Sequence, residues 1–205
     1  MFPAIYCTLW REVLAAETMR FITFLVFFLS LCTYAAGQKS WQADSETASQ
    51  GVIIQNSFPR GGLRYTDSSG KDFVYVIFWI RVMNETAIPF ELTVNFPADS
   101  FAITSPYNYV KLFLPPNTMI FEKQSLFDYG LDLKSFLDIS FNKPTMFQRT
   151  INPKEECVFY IAALSRMPYD GSVRAGLILK EQNLFYRINI LDPALISCGK
   201  IVFKK

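Results

Sequence analysis

The sequence predicts an all-β fold, an antiparallel sandwich or barrel with a single short helix, standing behind an export leader. Three observations carry this expectation. Phe90–Phe96 alternates strictly, with Phe90, Leu92, Val94 and Phe96 on one side and Glu91, Thr93 and Asn95 on the other, which is the period of a half-buried strand. Phe73–Val82 is apolar on both sides, and five of its ten residues are β-branched and four aromatic; this suits a central strand covered on two faces. Turn residues punctuate the chain at short intervals while helical periodicity is scarce. Composition agrees: 51% hydrophobic and 16% aromatic residues, 20 of them Phe, supply the apolar surface that offsets ordering entropy, so the chain is folded.

The leader comes first. Met19-Arg20 precedes an uncharged run, Phe21–Leu31, and small residues follow at Ala35, Ala36 and Gly37. A basic start, a short apolar run and a small-residue exit describe a signal peptide, cut after Ala35 or Gly37. The alternative is an uncleaved anchor, for which Phe21–Gly37 is at the lower limit of bilayer-spanning length. Residues 1–18, broken by Arg11, Glu12 and Glu17, fit either an upstream extension of a chain that starts at Met19 or a long n-region. Residues 1–37 are thus assigned to the leader and 38–50, polar and small, to a flexible tail. Residues 51–205 make one domain, large enough to bury about 70% of its unfolded surface around a single core.

Within that domain, Tyr65–Asp72 reads as a hairpin with Gly70 at a left-handed position. Asn84–Pro89 and Asn152–Glu155 are tight connections. Val110–Leu114, Cys157–Leu164 and Leu184–Leu191 are further strands. The one helical signal is Asp128–Ile139, with Leu133, Phe136 and Leu137 on one side. Cys7 and Cys32 fall in the leader. Cys157 and Cys198 remain, and in an oxidising compartment they are expected to form a disulfide worth about 4 kcal/mol; the alternative is two free, buried thiols.

The long strand through Phe73, the Asn84–Pro89 turn and the alternating strand to Phe96 resemble immunoglobulin-like sandwiches. The Asn152–Cys157 turn leading into a strand does so too. The likeness extends over residues 51–165 and is shared with uncharacterised exported bacterial proteins. It implies a fold, lacks the Cys-Trp-Cys spacing of antibody domains, and brings no functional residue with it.

The chemistry is bounded by what is missing. With no His in the chain, Ser-His-Asp and Cys-His catalysis and His-ligated zinc are excluded. A net charge of +2 gives no electrostatic case for nucleic acid. No phosphate-cradling glycine motif or calcium loop occurs, and no cofactor is expected. Ser68–Lys71 matches Ser-x-x-Lys, but that nucleophile needs a helix start and partner motifs that are absent. Asp128, Asp132, Asp138, Glu155 and Glu156 are the carboxylates available for a hydrolytic pair; helix-start and turn roles account for them equally. Asn84–Thr86 is a glycosylation sequon. Tyr107, Tyr109 and Tyr169 stand in loop segments and are the candidate contacts for a protein or glycan partner.

The function expected from these residues is therefore that of a secreted or periplasmic, non-enzymatic binding or assembly module. No membrane span remains once the leader is cut. The alternatives are a carboxylate-dependent hydrolase of extracellular polysaccharide and an envelope-complex subunit that pairs through a strand edge.

Overall fold

The computed structural model describes residues 40–102, 109–166, 172–190 and 195–204. The leader, Tyr107 and Tyr169 lie outside the described residues. The strands are β1 (Ala43–Ser49), β2 (Val52–Ser57), β3 (Arg60–Thr66), β4 (Asp72–Asn84), β5 (Phe90–Phe96), β6 (Phe101–Ala102), β7 (Tyr109–Phe113), β8 (Thr145–Ile151), β9 (Glu156–Ser165), β10 (Ala175–Lys180), β11 (Asn183–Ile188) and β12 (Leu195–Phe203). One 3₁₀ turn (Phe121–Lys123) and one helix, α1 (Leu133–Ser140), complete the described elements.

These strands form two antiparallel sheets. The first runs β1-β2-β4-β9-β7-β6, with β3 also on β4; the second runs β10-β11-β12-β5-β8. Such counts and orders differ from the four-plus-three arrangement of immunoglobulin constant domains, so the likeness stops at two packed antiparallel sheets.

β4 shows why its sequence is apolar throughout. Phe78, Ile80 and Val82 point between the sheets, where they join Val52, Leu92, Phe159 and Ile161 in the main core. Tyr75, Ile77 and Trp79 point the other way, into a second core with Met119, Leu133, Leu137 and Tyr160. β9 repeats the pattern: Cys157, Phe159, Ile161 and Ala163 face the main core while Val158, Tyr160, Ala162 and Leu164 face the second. The central pair is therefore covered twice, by the other sheet on one face and by the 119–141 segment on the other.

β2 and β3 are two parts of one bent strand. Both lie antiparallel along the same edge of β4, Asn56 opposite Ile80 and Arg60 opposite Ile77. Phe58-Pro59 breaks the ladder because Pro has no N–H to donate. A bulge at Gly61/Leu63 bends the end further, as an extra residue on one strand does.

Three expectations need correction. Residues 43–49, placed in a flexible tail, form β1, and the compact unit begins at Trp41. Its side chains are mostly exposed because it is an edge strand, where polar residues serve well. The pairing is set by a two-residue turn, Gln50-Gly51, with φ of 51° and 77°; positive φ at both positions is the hairpin geometry of type I′. Trp41 then anchors the start of β1, its ring 4.9 Å from Trp79 and 5.3 Å from Phe121.

The second correction concerns Cys157 and Cys198. Both are free and buried, one in each sheet. The third concerns the helix, which starts at Leu133 rather than near Asp128. Asp132 caps it by accepting from the Ser135 amide, while Asp128 accepts from the Gly130 amide in the preceding turn.

Candidate functional site

A cleft of about 800 Å³ opens at one end of the sandwich, within the size range of small-ligand sites. A taper along the inner face of the first sheet creates it. Deep in the core Phe78 pairs with Ile161 and Ile80 with Phe159. Towards the end the pairs become Val76 with Ala163 and Val74 with Ser165. These smaller side chains leave space that the second sheet does not fill, because β10 begins only at Ala175. Val110 of β7 extends the floor beside Ser165. Val173 and Ile190, both partly buried against the main core, form the opposite wall.

That opposite wall is fastened by Asn189. Its Oδ1 accepts from the Arg174 amide at 2.9 Å and its Nδ2 donates to the Ser172 carbonyl at 2.9 Å. The Asn189 amide also donates to the Arg174 carbonyl at 2.9 Å. Both ends of the wall are thereby held on the last turn of the β10–β11 ladder.

The mouth is cationic. Arg60, Arg64, Arg166 and Arg174 line the cleft with Asp72 as the one carboxylate among its described residues. They differ in how they are held. Arg60 lies 5.7 Å from the Tyr129 ring, on the face of the second core. Arg174 donates to Asp44 at 2.6 Å and stacks 4.9 Å from the Phe58 ring. Arg64 sits opposite Val74 in the β3–β4 ladder, and Arg166 follows the last residue of β9. Among the described residues neither the Arg64 nor the Arg166 guanidinium has an ion-pair or hydrogen-bond partner.

Of the loop tyrosines singled out from sequence, the structure describes Tyr109. It starts β7, pairs with Ala102, and is about half exposed. It lines a shallow depression of about 200 Å³ with Phe73, Lys111, Phe141 and Arg166. Arg166 belongs to both concavities, so Tyr109 stands next to the cleft rather than in it.

The candidate acidic residues are engaged individually; Asp138 lines a concavity of about 740 Å³ with Asp67, where Lys71, Lys134 and Lys143 accompany them. Glu156 pairs with Arg81, Asp138 with Lys134 at 2.8 Å, and Glu155 accepts from the Asn152 amide at 3.1 Å. Hydrogen bonding from Ser135 holds the Asp132 carboxyl below its ordinary range. The Lys134 and Asn152 bonds do the same for Asp138 and Glu155. A general acid needs the opposite shift.

Ser68–Lys71 is the tip of the β3–β4 hairpin. Asp67 Oδ1 accepts from the Ser69 amide, the Ser69 hydroxyl and the Lys71 amide, each within 2.9 Å. The Ser68 region is a closed turn, not a nucleophile on a helix. Burial pushes the Cys157 and Cys198 thiols up to about 12, which leaves them as unreactive hydrophobes. Among the described residues no group of three or more Cys, Asp or Glu is placed to hold a metal ion.

The sequon asparagine is also employed internally. Asn84 is fully buried; its Nδ2 donates to the Ile88 and Ile151 carbonyls, and its Oδ1 accepts from the Thr86 amide and hydroxyl. In the folded chain that amide has no access to a glycosylating enzyme.

No family model matches this chain, and neither a curated protein nor a solved structure matches it. Among the described residues no helix is long and apolar enough to cross a membrane.

Proposed function

We propose that this protein is an exported, non-enzymatic binding module whose ligand enters the cleft at the open end of the sandwich. The observation that carries the reading is the pairing of an apolar floor with guanidinium groups at the mouth. Guanidinium groups bind and orient but do not exchange protons near neutral pH, so this lining suits recognition better than acid–base turnover. Export rests on the Met19–Gly37 sequence pattern. The depression beside Tyr109 is the second contact surface, favoured by the exposure of that ring, with Tyr107 and Tyr169 as its sequence neighbours.

A thermal-shift screen of sugars, peptides and amphiphiles tests the reading on the wild type and on Ala163→Leu. The larger side chain enters space the structure leaves open. At least one class should raise the wild-type Tm and leave the variant unmoved. Hits that persist in Ala163→Leu and vanish in Tyr109→Ala would move the site to the depression.

A further inference from the structure

We infer that the ligand of the cleft is a single-chain amphiphile with an anionic head, its chain between the sheets and its head on Arg64 and Arg166. The inference rests on the cleft being the ligand site and adds the chemistry of the ligand.

Two separate features converge on that chemistry. The floor, from Val76 and Ala163 out to Val110, together with Val173 and Ile190 opposite, offers no buried charge and opens into the main core. A polar ring or a peptide would leave its hydrogen-bonding groups unmet there, at a cost. An alkyl chain leaves nothing unmet, and each methylene it buries strengthens binding about fourfold.

The head group is selected at the mouth. Arg174 is already neutralised by Asp44 and Arg60 is turned to the Tyr129 side. Arg64 and Arg166 are left to receive a ligand, one on β3 and the other just past the end of β9, two strands that flank β4. A guanidinium presents donors in a planar fork that matches a carboxylate or a sulfate. Asp72, held by the Thr66 hydroxyl at 2.6 Å, is the one carboxylate among the described residues of the lining, where the four arginines outnumber it.

Titration calorimetry of the protein with monomeric octanoate, decanoate, decyl maltoside and decyltrimethylammonium tests this, all below their micelle thresholds. Decanoate is expected to bind about fifteenfold more tightly than octanoate, and at least tenfold more tightly than either ten-carbon compound with another head. Arg64→Gln and Arg166→Gln, both at exposed positions, should each weaken decanoate about tenfold and leave decyl maltoside unchanged.

Equal affinity for all three ten-carbon heads would overturn the anionic assignment while leaving the cleft as the ligand site. Equal affinity for octanoate and decanoate would overturn the chain assignment and reduce the effect to surface anion binding. Binding by none of the four overturns the inference outright; hits from other classes that Ala163→Leu abolishes would then still uphold the binding module. Uptake of decanoate from anionic phospholipid vesicles as well as from solution would show a free amphiphile as ligand. Capture of the intact vesicles, with no affinity for free decanoate, would overturn the assignment.

Discussion

At the scale of single residues, buried amides close the connections that the strands leave open. Asn84 makes three side-chain hydrogen bonds within the β4–β5 turn and a fourth to Ile151 at the end of β8, and its backbone meets Glu155 and Lys154 of the β8–β9 turn. Replacing it by Ala strands the buried Ile151 carbonyl and the Thr86 amide. A buried group left without its partner costs about 1–3 kcal/mol. Asn84→Ala should therefore destabilise by about 3 kcal/mol in urea unfolding, a large fraction of a domain's stability; a loss under about 0.5 kcal/mol would contradict the network. Asn56 does comparable work between the sheets. Its Oδ1 accepts from the Leu177 amide at 2.8 Å and its Nδ2 donates to the Leu177 carbonyl at 3.3 Å. That pair ties β2 to β10 as a short ladder would. Neither role is legible in sequence, where Asn84 reads as a sequon and Asn56 as one polar residue in a strand.

Elements differ in how far their sequences reveal them. β4 and β5 are legible because their side chains face fixed environments: two apolar layers for β4, and one apolar layer and solvent for β5. β1 is not, since an edge strand is held by backbone pairing and its exposed side chains are free to be polar. The one local signal was Gln50-Gly51, a two-residue loop between segments of unequal polarity. Trp41 is the other anchor, in contact with Trp79, Phe121 and the Arg81 guanidinium. Trp41→Ala should cost about 2 kcal/mol, less than a fully buried aromatic. It should also speed hydrogen exchange selectively at the β1 amides paired with β2. Uniform acceleration across both sheets would contradict a local anchor. The helix was legible by its apolar stripe, but its start was not, because Asp128 and Asp132 are both suitable caps and only the Ser135 contact decides between them.

For the molecule as a whole, one sheet wears two coats while the other wears one. The 119–141 segment covers the outer face of β4 and β9, which gives Phe73, Phe113, Phe136 and Phe141 an apolar layer of their own. The inner layer, by contrast, thins towards Ala163 and Ser165 and opens as the cleft. The candidate site escaped the sequence reading for a reason of topology. Arg64 is far along the chain from Arg166 and Arg174, and the β3–β4–β9 ladder and the Asn189 clasp bring them to one rim. A local sign existed at Arg60–Arg64, where two arginines flank a Gly-Gly bulge. The loop tyrosines drew attention instead because aromatic residues near Pro, Gly and Asn are conspicuous in a linear reading.

Methyl-detected NMR during a titration with decanoate tests the central claim most directly, that the thinned end of the sandwich receives the ligand. The account predicts saturable shifts concentrated on the methyl groups of Val76, Val110, Ala163, Val173 and Ile190, with those of the second core, such as Leu133 and Leu137, unmoved. Saturable shifts centred on Leu133, Leu137 and Met119, with the cleft methyl groups silent, would contradict it.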